Sequence, residues 1–169
     1  LEEADPPHDA AICSPLVAQE RGLKVLVSGV EDNVGAVTRF ILVTRPGRIP
    51  QPTGVDKSTL ILPLPEDRPG ALMELLEQFT ARGVNLSRIE SRPTGKSLGE
   101  YFFSVDIEGH VAEERVAAAL SGLHRLSPKL RFLGSYPAAQ GLEASVDTHN
   151  SDAAFSEARA WVQSLRDRV

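Results

Sequence analysis

The stretch 67–93, DRPGALMELLEQFTARGVNLSRIESRP, decides how the rest of the chain is read. Its apolar residues Leu72, Leu75, Leu76 and Phe79 recur at helical spacing, and Gly83 supplies a helix stop. The helix is expected to start at Asp67 or its neighbour. A strand follows over 84–92, with Val84 and Leu86 on one face and Ile89 on the other, so a bulge is expected near Ser87-Arg88. Two parts of the stretch do not look like core-building. The helix opens on Pro69-Gly70-Ala71, which leaves its first turn bare of side chains. Free N–H groups and the helix dipole favour a carboxylate there, and Gly70 admits a close approach. The strand ends in Glu90-Ser91-Arg92-Pro93, with Glu90 and Arg92 projecting to one side. A bare helix start beside a charged strand end would hold the two ends of a small zwitterion. Taken singly, the plainer readings come first: a helix start with a small packing residue, a weak surface charge pair, and a proline that ends a strand.

Working outward, residues 59–64 form a strand before the helix, and 94–99, with two glycines, a hairpin loop after it. Tyr101, Phe103, Val105 and Ile107 alternate with Phe102, Ser104, Asp106 and Glu108, the pattern of a half-buried strand. Ala112, Val116, Ala119, Leu120 and Leu123 mark a second helix, and 129–136 a last strand closed by Pro137. The order is strand, helix, strand, strand, helix, strand. Two right-handed βαβ units joined by a hairpin give a ferredoxin-like βαββαβ domain, an antiparallel four-stranded sheet with both helices on one face. The other face is left open, so a partner subunit is expected.

Before this domain, residues 1–8 read as a loop. Ser14 is a helix cap, Pro15 fits the first helical position, and the helix runs to about Arg21 with Gly22 as its stop. Residues 23–27 (LKVLV) read as a strand and 31–35 (EDNVG) as a turn. Residues 37–43 (VTRFILV) read as a strand buried on both faces, as in parallel α/β sheets. Within it, Arg39 has the planar fork that suits carboxylate recognition, and Thr38 can donate a hydrogen bond. Alone, Thr38-Arg39-Phe40 reads as β-propensity with Arg39 reaching to solvent. Residues 44–57 hold three prolines and two glycines without periodicity and form the linker. The expected organisation is 1–43, a piece of an α/β domain; 44–57, linker; 58–137, the βαββαβ domain; and 138–169, a polar linker and a final helix. That helix carries a stripe of Phe155, Ala158, Val162, Leu165 and Val169 with Trp161 at its edge, and is read as docked on its own chain ahead of a short partner-binding helix, since two heptads are marginal alone.

Composition narrows the function classes. Of 169 residues, 41% are apolar and 24% charged, the range of soluble globular domains. A net charge of −5 argues against a nucleic-acid partner. One cysteine, Cys13, excludes an intrachain disulfide, suits a reducing cytosol and reads as a small buried residue. The histidines, His8, His110, His124 and His149, lack ligand spacing and read as surface or turn residues, so no metal is expected. There is no phosphate loop and no serine–histidine pairing to indicate a triad. No apolar run approaches the roughly 20 residues that span a bilayer, and no secretory signal is present. The chain begins at Leu1 without a methionine and is read as a fragment of a longer protein.

Particular strings carry a family resemblance. AAICSPLVAQERGLKVL at 10–26, EDN at 31–33 and VTRFILV at 37–43 resemble the closing segment of the prephenate dehydratase catalytic domain, a periplasmic-binding-protein-like α/β fold. GALM at 70–73, ESRP at 90–93, LGEYFF at 98–103 and LGSYP at 133–137 resemble the ACT regulatory domain that follows it. The resemblance implies a cytoplasmic lyase of phenylalanine biosynthesis, which converts prephenate to phenylpyruvate, water and carbon dioxide with no cofactor. It implies that Thr38 is catalytic, acting as a positioned donor to the departing hydroxyl, with Arg39 in substrate or scaffold contact and Phe40 in the pocket wall. Ser14 matches a less specific family motif. It also implies an L-phenylalanine site for feedback inhibition. Gly70, Ala71, Leu72 and Met73 form one side, Glu90, Ser91, Arg92 and Pro93 the other, and Asn85 and Leu86 also line it. Such sites lie between two ACT domains, so a homodimer or a tetramer is expected. Most of the family's catalytic domain is missing, so the chain alone is expected to be inactive. What precedes Leu1, a chorismate mutase domain included, is left open. The alternative is a stand-alone ACT amino-acid sensor, which would have no use for Thr38-Arg39.

Overall fold

The computed structural model describes residues 8–38, 40–64, 66, 68–93, 101–139 and 145–168. The chain divides into two compact units, one ending at Arg45 and one starting at Pro46. In the first, α1 (Pro15–Glu20) forms as expected: Ser14 Oγ accepts the N–H of Val17 at 3.4 Å, and Gly22 follows with φ +63°. The two strands expected here do not form. Residues 23–27 and the described part of 37–43 are in neither helix nor strand. Leu26, Phe40 and Leu42 are all largely exposed. A strand buried on both faces needs neighbours on its ladder and helices over it. A six-residue helix supplies neither. Cys13, expected to be buried, is exposed.

The second unit holds β1 (Asp56–Pro63), α2 (Ala71–Thr80), β2 (Leu86–Pro93), β3 (Tyr101–Glu108), α3 (Glu114–Leu126), β4 (Arg131–Pro137) and α4 (Asp152–Arg166). All strand pairings are antiparallel, in the spatial order β2-β3-β1-β4. This is the expected βαββαβ arrangement. β1 begins three residues earlier than its apolar pattern indicated, because Asp56 shapes the turn before it. Its carboxylate accepts the N–H groups of Thr53 (2.7 Å) and Gly54 (3.0 Å) and the Thr53 hydroxyl (3.0 Å). α2 starts at Ala71 rather than near Asp67, which lies outside the described residues, as does the hairpin loop expected over 94–99. The bulge expected near Ser87-Arg88 is present as a register shift between Leu86 and Arg88.

One face of the sheet and the two helices bury a single core: Leu60, Leu62, Val105 and Ile107 from strands, Leu75, Phe79, Val116, Ala119 and Leu123 from helices, and Val84 from the turn. Ala112, expected on the second helix, precedes it and is exposed. His110 lies in a turn, as expected, but is buried there. Its Nε2 meets the Pro50 carbonyl at 3.0 Å, and its Nδ1 accepts the Ala112 N–H at 3.0 Å.

The opposite sheet face differs from the apolar surface that a partner would cover. It carries a polar relay across all four strands. Arg88 on β2 donates to both oxygens of Asp106 on β3, at 2.9 and 3.0 Å, and to the Ser104 hydroxyl at 2.9 Å. Thr59 on β1 donates to Asp106 Oδ1 at 2.8 Å and shares a 2.6 Å bond with the Tyr136 hydroxyl on β4. Asp106 is thereby only 1% exposed, although its alternation read as solvent-facing.

Candidate functional site

The α2 N-terminus is bare, as the sequence indicated. Gly70 is its cap residue, with φ +86° and no side-chain cap bond. Ala71 is buried, Leu72 half-buried and Met73 exposed. The sequence reading missed the residues around this turn. Arg68 forks onto Glu74, with both amine groups donating, at 2.8 and 2.7 Å, and its Nε lies 3.4 Å from Glu66. The Arg68 hydrogen bond holds the Glu74 carboxyl below the usual carboxylate range, and Glu74 in turn raises Arg68. A signal was available in Glu74, an acidic residue in the first turn of a helix, where it complements the dipole. A small cavity of about 170 Å³ lies here, lined by Glu66, Arg68, Ala71, Glu74, Leu75 and Leu126. That falls below the roughly 300 Å³ at which small-molecule pockets begin.

Glu90 and Arg92 share one side of β2, as expected, and are paired at 3.0 Å. Glu90 also meets Arg88 at 3.0 Å, so it bridges two guanidinium groups. Hydrogen bonds from Arg92 and then Arg88 hold its carboxyl below the usual range. Ser91, Arg92 and Pro93 are exposed.

Strand register locates these groups. Pro93 pairs with Tyr101, and Pro63 with Phe102, so the ESRP end of β2 and the end of β1 lie at the same end of the strands. The chain leaves β1 at Pro63 and reaches Gly70 within seven residues, which brings the GALM turn to that end as well. Asn85 and Leu86 are elsewhere. Leu86 pairs with Ile107, and the Asn85 carbonyl accepts the N–H of Glu108 at 2.9 Å. Seven strand steps separate Leu86 from Pro93, about 23 Å. One chain therefore brings eight of the ten predicted ligand residues to one end of the domain and puts the other two at the far end. Thr38 and Phe40 are exposed in the first unit, and Arg39 lies outside the described residues.

Among the described residues no helix is long and apolar enough to cross a membrane. No cluster of three or more His, Cys, Asp or Glu residues among them could hold a metal ion.

The sheet order, the two helices on one face and a match of residues 59–125 to the family model "ACT domain" define the class: this chain carries an ACT domain. Residues 1–48 match the model "Prephenate dehydratase", and nearly the whole chain is similar to about half of proteins of that name. The prephenate dehydratase of Amycolatopsis methanolica is 42% identical over 159 residues, which is 94% of this chain and 52% of that protein. A crystal structure of prephenate dehydratase from Arthrobacter aurescens, in complex with L-Phe, is 61% identical. It superposes with a TM-score of 0.88 over 98% of this chain and 54% of its own. A more distant structure, described as a quorum quenching acylase, is 35% identical, with a TM-score of 0.52 over 56% of this chain. The chain thus spans about half the length of the curated relatives it matches.

Proposed function

We propose that this chain is the regulatory, C-terminal part of a cytoplasmic prephenate dehydratase, and that its ACT domain binds L-phenylalanine for feedback inhibition. The observation that carries this reading is the relative solved with L-Phe, 61% identical over almost all of the chain. The ligand's carboxylate would meet the free N–H groups after Gly70, while the Glu90–Arg92 end supplies charge to the other side of the pocket.

The 23 Å between Leu86 and Pro93 supports a site shared by two chains. β2 is an edge strand. An isologous pair that runs β2 antiparallel to its copy exchanges the two ends. The 85–86 end of one chain then lies beside the GALM and ESRP groups of the other, twice per dimer. The polar face of the sheet is not needed for this contact, so the β2 edge replaces that face as the dimer surface. Because the ligand contacts both chains, it favours the dimer arrangement that closes the site, which couples binding to catalysis.

In the intact enzyme Thr38 would donate to the hydroxyl that leaves prephenate, with Arg39 in substrate or scaffold contact and Phe40 in the pocket wall. The described residues of that segment form no strand, so no turnover of prephenate by the purified 169-residue chain is expected. Measured formation of phenylpyruvate would overturn that expectation. Calorimetry with L-phenylalanine at a protein concentration where light scattering reports a dimer tests the ligand reading. Saturable binding, weakened by Gly70→Val, supports it. No heat with the dimer intact sinks it.

A further inference from the structure

The segment after β4 has no role in the site as described so far, and the ACT match ends at residue 125. Thr148–Asn150 forms one 3-10 turn, and Ser151 caps α4 by accepting the N–H of Ala154 at 3.3 Å. The segment is seated on the start of α3. Asp152 Oδ1 accepts the N–H of Glu114 at 2.9 Å, and Arg159 is ion-paired with the Glu114 carboxylate. α4 has no fully buried residue, and only Ala154 and Phe155 at its start are half-buried, so the seating is concentrated in the polar contacts and in the residues before the helix.

Asn150 is the buried member of this segment, at 6% exposure. Its side chain lies directly over Gly83. A β-carbon on Gly83 would collide with the Asn150 amide, and Gly83 has φ +62°, so glycine is required there on both counts. The Gly83 carbonyl accepts from Arg115 at 3.0 Å. Arg115 is itself 3% exposed and gripped by Glu113, whose other oxygen accepts the His110 N–H at 2.6 Å. The turn between α2 and β2 is therefore held from two sides, by Arg115 at its carbonyl and by Asn150 over its α-carbon. Two residues further on the chain reaches Asn85 and Leu86, the pair that lies apart from the rest of the predicted site.

We propose that the C-terminal segment 148–166 supports the amino-acid site from behind. Asn150, seated on Gly83, positions the turn that presents Asn85 and Leu86 to the ligand in the neighbouring chain. This rests on the L-phenylalanine reading above and adds a regulatory element to it. Asn150 is a positioning residue and touches no ligand. A turn built on a left-handed glycine is conformationally permissive, and one left uncovered must be ordered when ligand binds, at a cost in affinity.

The test is calorimetry with L-phenylalanine on the full chain, beside amide hydrogen exchange of the unliganded protein. Asn150→Ala is expected to weaken binding about fivefold or more, from the ordering of one turn. It is also expected to speed exchange at residues 84–86 while the strand core stays protected. Asn150→Asp, of the same shape, is expected to keep most of the affinity. Should Asn150→Ala fail to fold, Asp152→Ala loosens the segment without touching the turn and is expected to weaken binding in the same direction. A parent chain that binds, with folded variants that bind equally well, overturns this inference alone. A parent dimer that does not bind overturns the site reading and this inference together.

Discussion

At the scale of single residues, Asp106 is the most deeply buried charge among the described residues. It is buried to 1% exposure and satisfied by Arg88 and Thr59. Removing it takes both acceptor oxygens from the half-buried Arg88 fork, leaving that guanidinium only the more exposed Glu90, and removes an acceptor of the Thr59 hydroxyl. Asp106→Ala is expected to lower stability by about 3 kcal/mol in urea unfolding. A second expectation concerns acid. Glu74 and Glu90 both titrate below their ordinary 4.5, because arginine side chains donate to the ionised forms. Groups with depressed folded values contribute stability above their unfolded value and lose it as pH falls through the lower folded one. The domain should therefore lose stability progressively below about pH 4.5. Glu90→Gln should flatten that limb in a series of melts at descending pH. The sequence showed the Glu90–Arg92 pair, two positions apart on one strand. It did not show Arg88 with Asp106, which lie 18 positions apart and meet only through strand pairing. Alternation alone placed Asp106 in solvent.

At the scale of elements, the segments whose partners are present in the chain were legible. The α2 stripe and the β2 bulge appear where periodicity put them, and Val105 and Ile107 of β3 face the one core, although Asp106 between them is buried as well. Residues 23–27 and 37–43 have equally strand-like compositions and form no strand. Apolar, β-branched runs describe what a segment needs, and a ladder must be present to supply it. The C-terminal helix docks on its own chain, as expected: Asp152 and Arg159 reach Glu114 at the start of α3 and Phe155 is half-buried, while Trp161, Val162 and Leu165 stay exposed. Of the site, the GALM and ESRP ends were legible as local chemistry. Their separation from Asn85 and Leu86 follows from strand length, which a list of motif residues does not carry. The start of α2 gives a test at this scale. Gly70 has φ +86° with open space where a β-carbon would point, so Gly70→Ala strains the backbone without a clash. It should cost about 1 kcal/mol in thermal or urea unfolding.

At the scale of the whole chain, the two units should behave differently. Val37, Phe40, Ile41, Leu42 and Val43 are all more than 70% exposed, whereas Leu60, Val105, Ile107 and Phe79 are wholly buried. In amide hydrogen exchange, the described part of 37–43 should exchange within the first time points, while β1, β3 and α2 stay protected to near the global unfolding limit. Slow exchange at 40–43 would show that the first unit forms a sheet after all. One feature of the second unit bears on how it reaches a single structure. Sliding β3 by two residues against its neighbours would keep Val105 and Ile107 facing the helices, so apolar burial hardly distinguishes the shifted pairing from the native one. The shift would carry Asp106 away from Arg88 and Thr59 and leave its charge stranded. The relay from Arg88 to Tyr136 thus works as a key cut across the strands: it fits one alignment and rejects the neighbour that greasy contacts would accept.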